Sequence, residues 1–398
     1  MIPPEKQIEI LKERTAEIIK EEELFEKIKK KGRLRVKLGI DPTAPDIHLG
    51  FAVVLRKLRQ FQDLGHTAVL IVGDFTARVG DPSGRSKTRP QLSKKEVENY
   101  MKTYKEQLFK ILRKDNLEIR YNSEWFENMD LERFISIASK MTVARILERD
   151  DFEKRYKEGI PIAVHEFLYP ILQAYDSVMV EADVELGGTD QKFNLVMGRH
   201  LQLQMGQEPQ VIMLMPLLIG TDGKLKMSKS YKNYIGITEP PKEIFGKIMS
   251  IPDDLILDYY RLTTDLHEDE IKKIEERLKK GENPRDIKAD LAQKVVEMYY
   301  SKEEAIKSRE EFDKVFKKRE FPEDAPEYVP KYKKMGIIKL LRELGVPSNS
   351  EARRLIQQGA VKINGEKIED PYMEIIFDKE YYIKIGKRQF YKIMPYNF

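Results

Sequence analysis

The sequence predicts an α/β chain built on a doubly wound parallel sheet, followed by an all-helical domain and a small α+β domain. Three observations carry that expectation. Two apolar runs, residues 34–40 and 68–73, flank an amphipathic stretch at helical period, which is the pattern of a β-α-β unit. From about residue 240 to 318 the pattern is helical, interrupted at Pro240-Pro241, Pro252 and Pro284. The last stretch combines a helical start with short strand-like runs at 361–363 and 381–385.

Taken in order, residues 5–30 read as one helix, because Ile8, Leu11, Ile18, Ile19, Phe25 and Ile28 recur near helical period; Gly32 ends it. The strand 34–40 opens into a loop rich in Pro and Asp. A second helix begins at about residue 50, with Val54, Leu55, Leu58, Phe61 and Leu64 as its stripe and Gly65 as its cap. The strand 68–73 is apolar without a break, as expected for a strand covered on both faces. Residues 80–90 form a polar, basic loop, and helical patterns follow through about residue 150. A second apolar block, 167–186, closes on Gly187-Gly188-Thr189-Asp190-Gln191, and a third, 211–219, leads to Lys226-Met227-Ser228-Lys229-Ser230. The expected division is a Rossmann-type domain over 1–235 with a helical insertion at about 95–165, a helical domain over 236–320, a linker over 321–334 and a small module over 335–398.

Composition narrows the function classes. The chain has 398 residues, 41% of them hydrophobic, enough for two or three domains with sizeable cores. It has no cysteine, which excludes disulfides and thiolate zinc sites, and its five histidines are scattered without ligand spacing, so no metal site is expected. The first thirty residues lack the apolar core of a signal peptide, and nothing approaches the roughly 18 apolar residues of a membrane helix. A cytoplasmic protein with no membrane partner is expected. The net charge of +4 is uneven: residues 331–398 hold 14 Lys and Arg against 8 Asp and Glu, or +6, leaving −2 for the rest. A basic end on a mildly acidic body points to a polyanionic partner; charge alone equally fits a small module kept soluble.

Two motifs far apart in the chain carry the chemistry. The first, Asp41-Pro42-Thr43-Ala44-Pro45-Asp46-Ile47-His48-Leu49-Gly50-Phe51, lies between the first strand and its helix. A helix start offers free N–H groups and a positive dipole end, which suit phosphate; Gly50 permits close approach, and His48 can donate to phosphate oxygens. The second, Lys226-Met227-Ser228-Lys229-Ser230, follows Gly220 and Gly223, and two lysines on such a loop can neutralise a departing pyrophosphate. Either alone fits an ordinary helix start or a lysine-rich loop. Together, in this order and on these elements, they are not readily met by chance.

The pair resembles the two signature motifs of class I aminoacyl-tRNA synthetases. The resemblance covers essentially the whole chain and narrows to the tyrosyl-tRNA synthetases through Gly80-Asp81-Pro82-Ser83-Gly84-Arg85, Tyr169-Pro170-Ile171-Leu172-Gln173-Ala174-Tyr175-Asp176 and Gly187-Gly188-Thr189-Asp190-Gln191. Tryptophan enzymes share the fold and the motif pair but usually lack the C-terminal module. By this resemblance Asp176 accepts from a tyrosine hydroxyl; Tyr169, Gln173 and Asp81 hold its α-ammonium group; and Gln191 meets the carboxylate end. Asp190 and Gly188 hold the ATP ribose, with Gly39, Asp41 and Met227 also on ATP and Thr43 beside His48 and Gly50 in catalysis. The residues agree with this on their own: Tyr169, Gln173 and Asp176 share one helix face in an apolar stretch, where a carboxylate needs a partner. A site that must pair a buried carboxylate rejects phenylalanine without an editing domain, a rule for which tyrosine synthetases are themselves the usual illustration.

Two positions depart from the family pattern. The first motif normally ends in a second histidine, where this chain has Phe51. Its share of ATP stabilisation is expected to fall to His48, Lys226 and Lys229, with Arg85 and Arg89 closing on the triphosphate. Many relatives have a tyrosine beside the substrate hydroxyl where this chain has Lys37, counted here with the tyrosine-binding residues. Two placements are open for Lys37: an ion pair with Asp176, or a side chain pointing away.

From about residue 335 the chain resembles the small RNA-binding module named after ribosomal protein S4, with Arg353 and Arg354 on a helix and Lys362 and Lys367 on the following hairpin offering a basic face to RNA. The resemblance as a whole implies ATP with Mg2+ as co-substrate, tRNA(Tyr) and L-tyrosine as partners, a helical anticodon-binding domain, and a homodimer joined through the inserted helices.

Overall fold

The computed structural model describes residues 2–83, 92–316, 322, 325–386 and 389–396, and the chain divides into two compact units, Met1–Ala305 and Ile306–Phe398. The first unit is organised on a sheet with six strands among the described residues: β1 (Glu17–Ile19), β2 (Arg35–Ile40), β3 (Thr67–Val72), β4 (Leu117–Tyr121), β5 (Val184–Gly188) and β6 (Val211–Met215). The spatial order is β1-β6-β5-β2-β3-β4; β1 is antiparallel to β6, and all other pairs are parallel. The chain winds from β2 outward through β3 to β4, then returns to the other side of β2 for β5 and β6. The winding therefore reverses between β2 and β5, and sheets of this kind bind ligands outside the C-terminal strand ends at that reversal.

Helices on the sheet bury its apolar residues. Helix Leu49–Asp63 buries Leu55, Leu58 and Phe61 completely, each worth about 1.5–3 kcal/mol relative to exposure. It ends with Gly65 at φ +93°, the left-handed cap the sequence predicts. Val69 and Ile71 pack with Ile171, Tyr175, Met197 and Leu201, which seats helices Val164–Met179 and Lys192–Gln204 on the sheet. Helices Pro241–Met249, Ile256–Thr263, Glu268–Lys279 and Pro284–Tyr299 make up the helical region that follows.

Three expectations about elements are corrected. Residues 5–30 are not one helix. Helices Pro4–Lys12 and Glu21–Lys31 are separated by β1, with Arg14 at φ 59° and Lys20 at φ 71° on either side of it. Ile18 and Ile19 keep a helical spacing with their neighbours, but pairing to Met213 and Ile212 at the sheet edge wins. Strand β4 lies inside the stretch read as helical, because Glu118 and Arg120 give a five-residue edge strand a charged look. Glu118 is bonded to Arg35 on β2 by two short hydrogen bonds, 2.7 and 2.8 Å. The segment that interrupts the parallel sheet is accordingly the one between β4 and β5.

The second unit contains β7 (Glu327–Tyr328), β8 (Lys334–Gly336), helices Ile337–Glu343 and Asn349–Gln357, then β9 (Val361–Ile363), β10 (Glu366–Lys367), β11 (Glu374–Ile376), β12 (Tyr381–Ile385) and β13 (Gln389–Ile393). One sheet has the order β10-β9-β12-β13-β7, and β11 pairs with β8. Leu340, Leu341, Ile356, Val361, Ile383 and Ile385 form its core. The hairpin between β9 and β10 turns on Asn364 and Gly365, both at positive φ as a two-residue turn demands. Strand β7 falls within the stretch read as linker: Glu327 and Tyr328 pair with Lys392 and Ile393 of β13.

Candidate active site

A cleft of about 690 Å3 opens at the C-terminal ends of β2 and β5, where the winding reverses. It is lined by both sequence motifs, by the Gly187–Gln191 turn and by helix Val164–Met179. Gly39, Asp41, Thr43, His48, Gly50, Asp81, Tyr169, Gln173, Asp176, Gly188, Asp190, Gln191, Lys226, Met227 and Lys229 all face it. Arg85 and Arg89 lie outside the described residues. Residues separated by up to about 190 positions are thus brought into one wall by the topology.

The first motif is held by local hydrogen bonds. His48 caps helix Leu49–Asp63, its Nδ1 accepting from the Phe51 amide at 3.3 Å, and Leu49 and Ile237 bridge the motif to residues 235–237 by backbone bonds of 2.9 Å. With Nδ1 an acceptor, the ring proton sits on Nε2. Burial first, and the charge of Lys229 second, lower its pKa to about 4, so His48 is a neutral N–H donor at physiological pH.

The lysine loop is seated against this motif. Asn233, buried, ties the loop together: its Oδ1 accepts from Ser228 N at 2.8 Å, and its amide donates to Asp222, Leu225 O and Lys226 O. Met227 N donates to Leu218 O at 2.7 Å, and its sulfur accepts from Gly50 N at 3.3 Å. A Cβ on residue 50 would stand 3.1 Å from His48 Nδ1 and 3.2 Å from Met227 Cβ, so the glycine is what admits the loop. Lys226 pairs with Asp190, and Lys229 donates to the Asp46 carbonyl. Burial lowers the Lys229 pKa to about 8.

At the closed end, Asp176 is buried with Trp125 Nε1 donating at 2.9 Å and Asn122 Nδ2 at 3.4 Å. Burial pushes its pKa up to about 7 against the opposing charge of Lys37. Nearer the mouth, Tyr169 OH donates to Asp41 at 2.8 Å, as does Thr76, while Gln191 donates to Asp81 at 3.0 Å. Asn194, buried, donates to Gln173, Gln191 and Ser83 at 3.0–3.2 Å and so joins three parts of the wall. Asn122, Trp125, Asn194 and Asn233 were not legible in the sequence. Trp125, the sole tryptophan, was the one signal available; the asparagines earn their places only through tertiary neighbours.

In the second unit Arg353 and Arg354 are exposed on helix Asn349–Gln357, Arg354 paired with Glu351 and Arg353 lying 5.9 Å from the Tyr372 ring centre. Register places Lys367 opposite Lys362 and Lys362 opposite Lys384, a cross-strand row of three lysines. Burial and then the neighbouring Lys362 lower the Lys384 pKa. Such like-charge rows are unfavourable unless an anion meets them. Lys384 was missed because nothing in its local sequence marks the pairing.

Comparison with known proteins bears on both units. The family model for class I tRNA synthetases (W and Y) matches residues 29–317, and that for the S4 domain matches 335–375. A tyrosine–tRNA ligase of Thermotoga maritima is 57% identical over 98% of each chain, and one of Aquifex aeolicus is 53% identical over 98% of this chain and 99% of its own. The chain belongs to the tyrosine–tRNA ligases. Among solved structures, a tyrosyl-tRNA synthetase of Archaeoglobus fulgidus complexed with L-tyrosine aligns with a TM-score of 0.63 at 23% identity, covering 77% of this chain and 99% of that one. A C-terminally truncated mitochondrial tyrosyl-tRNA synthetase of Aspergillus nidulans gives 0.65 at 22%, covering 79% and 95%. Both share its fold.

Within this ligase one expected site residue is corrected. Lys37 does not line the cleft and makes no ion pair with Asp176. Its Nζ, fully buried, is held by Glu185 at 2.8 Å, Ser177 Oγ at 2.7 Å and the Gln173 carbonyl at 2.9 Å. Those three partners, and not Asp176, hold the ammonium. Phe51 does line the cleft and presents an apolar ring where the family pattern has a second histidine.

Proposed function

We propose that this ligase activates L-tyrosine with ATP and transfers it to the 3′ end of tRNA(Tyr), in the cytoplasm and as a homodimer. The observation that carries the tyrosine assignment is Asp176. It is a buried carboxylate facing the cleft, and its hydrogen bonds among the described residues come from two neutral N–H groups. A phenol hydroxyl supplies the further donor that such a group needs. Gln173, Tyr169 and Asp81 then meet the α-ammonium group, and Gln191 the carboxylate end.

In the first step a tyrosine carboxylate oxygen attacks the α-phosphorus of ATP. The new O–P bond forms as the bond to the β-phosphate oxygen breaks, giving tyrosyl-adenylate and pyrophosphate. The neutral Nε2–H of His48, the helix start at Gly50 and the ammonium groups of Lys226 and Lys229 stabilise the charge that builds on the leaving group. Arg85 and Arg89 are assigned the same task. Gly39, Asp41, Gly188, Asp190 and Met227 frame the nucleotide, and Thr43 stands beside the reacting phosphates. A terminal ribose hydroxyl of the tRNA next attacks the acyl carbon, and AMP leaves. Positioning and charge stabilisation suffice, with no side-chain nucleophile.

Among the described residues no three His, Cys, Asp or Glu side chains converge on a point that could hold a metal ion. Mg2+ enters this proposal as the companion of the ATP phosphates, and no step is routed through it. The tRNA is met by Arg353, Arg354, Lys362 and Lys367, with Lys384 added. The division proposed is a catalytic domain with its insertion, a helical anticodon-binding domain and the S4-like module. Leu131, Ile135, Val143 and Val164, all more than half exposed in the inserted segment, support a second copy as the partner on that face. No helix among the described residues is long and apolar enough to cross a membrane.

The test is ATP–pyrophosphate exchange with each of the twenty amino acids, without tRNA. Exchange with tyrosine alone is expected. Exchange with tryptophan instead would overturn the pocket assignment, and none with any amino acid would favour an RNA-binding protein on a synthetase scaffold.

A further inference from the structure

Gln173 offers the cleft a side-chain amide, and an amide has two unlike ends. Only the carbonyl end can accept from an ammonium group. Which end faces the ligand is decided beneath the cleft, where Gln173 Nε2 donates to Glu185 Oε1 at 3.4 Å. A carboxylate only accepts, so Glu185 draws the NH2 end down and turns the oxygen up. There Asn194 Nδ2 donates to Gln173 Oε1 at 3.1 Å, which leaves one lone pair for a further donor. A neutral glutamine at position 185 could present either end and would impose no such choice.

Glu185 is 1% exposed, and a bare charge there would be costly. Lys37 compensates it at 2.8 Å, while Ser177 and Gln210 donate to its other oxygen. Lys37 also donates to the Gln173 main-chain carbonyl. The pair therefore grips Gln173 twice, Glu185 by its side chain and Lys37 by its backbone, and neither residue lines the cleft.

We infer that the buried Lys37–Glu185 pair is a positioning device that orients Gln173 to recognise the α-ammonium group of the amino-acid substrate. The inference rests on the proposed reading that Gln173 meets that group. Its range is narrow: the pair governs ligands that carry the ammonium and is indifferent to those that lack it.

The experiment compares L-tyrosine with 3-(4-hydroxyphenyl)propionate, which keeps the phenol and the carboxylate but has no amine. In the unmodified full-length chain, tyrosine-dependent exchange and tighter binding of tyrosine than of the amine-free analogue test the underlying reading. Failure there overturns that reading and, with it, the role of the pair. Given success, the double variant Lys37→Met/Glu185→Gln is expected to bind tyrosine roughly 10-fold more weakly. It should bind the analogue unchanged and keep its KM for ATP. Equal weakening of both ligands, or of neither, would overturn the inference. Should the double variant fail to fold, Lys37→Met/Glu185→Met decides, because it removes the acceptor beneath Gln173 and leaves no bare charge behind. The same selective loss for tyrosine, about threefold, is expected there, and an unselective loss or none refutes the proposal.

Discussion

Trp125 donates its indole N–H to Asp176 across 2.9 Å at the closed end of the cleft, so the sole tryptophan of the chain is bonded to the group assigned to the substrate hydroxyl. Tyrosine binding is expected to change the intrinsic fluorescence of Trp125 saturably, and phenylalanine to change it little at the same concentration. In Asp176→Asn the tyrosine response should be lost, together with at least ~100-fold in kcat/KM for tyrosine, since a hydrogen bond to a charged, buried partner is removed. A fluorescence change of the same size with phenylalanine would detach Trp125 and Asp176 from hydroxyl recognition.

Asp176 has its folded-state pKa raised to about 7 by burial, above its ordinary 3.8. The folded protein therefore binds the extra proton between those values, and stability contributed by the protonated form is lost as pH rises toward 7. A phenol that donates to the carboxylate favours the ionised form. Tyrosine affinity, measured by equilibrium dialysis, should rise from pH 6 to about 7 and level off above it. The slope should vanish in Asp176→Asn.

Lys229 has its pKa lowered to about 8 by burial, so its charge is present below that value and fades above it. The kcat/KM for ATP, which reports the free enzyme, should fall above pH 8. Lys229→Arg, whose guanidinium stays charged, should carry the plateau upward. An unchanged descending limb in that variant would place the titration elsewhere.

Asn233 does not line the cleft, yet four groups of the lysine loop depend on its amide. Asn233→Ala should lower stability by about 1–3 kcal/mol through the orphaned buried groups. In pyrophosphate exchange it should cut kcat about tenfold while leaving the KM for tyrosine in place. Wild-type kcat would show that the loop needs no such anchor.

A chain ending at Pro322 removes every strand of the C-terminal sheet. Tyrosine activation should persist, while charging of tRNA falls by an order of magnitude or more and loses much of its salt dependence. Charging at the full rate by the shortened chain would leave the lysine row without a role.

The parts of the fold that the sequence revealed are those where local pattern and tertiary position agree. The β2–helix–β3 unit was legible because an unbroken apolar strand and a 3.6-residue stripe mean the same thing in isolation and in the sheet. Strands β1 and β4 were not, since Ile18-Ile19 lie among helix-forming residues and β4 hides its apolar positions between Glu118 and Arg120. The site divides in the same way. Residues assigned to ligands lie in motifs, and the structure brings those it describes to one cleft, whereas Asn194, Asn233 and Glu185 hold them from elsewhere in the chain. Lys37 was misplaced because a lysine facing an apolar core gives no sign of which carboxylate will receive it, Asp176 or Glu185.

The seat of the lysine loop has a consequence for ATP. Under the proposed placement the nucleotide needs the Gly50 amide edge and the Asp190 carboxylate, and Met227 and Lys226 already occupy both. On that placement the loop competes for its own substrate's place, and ATP affinity should equal the intrinsic affinity scaled down by the fraction of molecules in which the loop has lifted. Weakening either contact should therefore make the empty protein hold ATP more tightly, even as the lysines assigned to the leaving pyrophosphate become less well aimed.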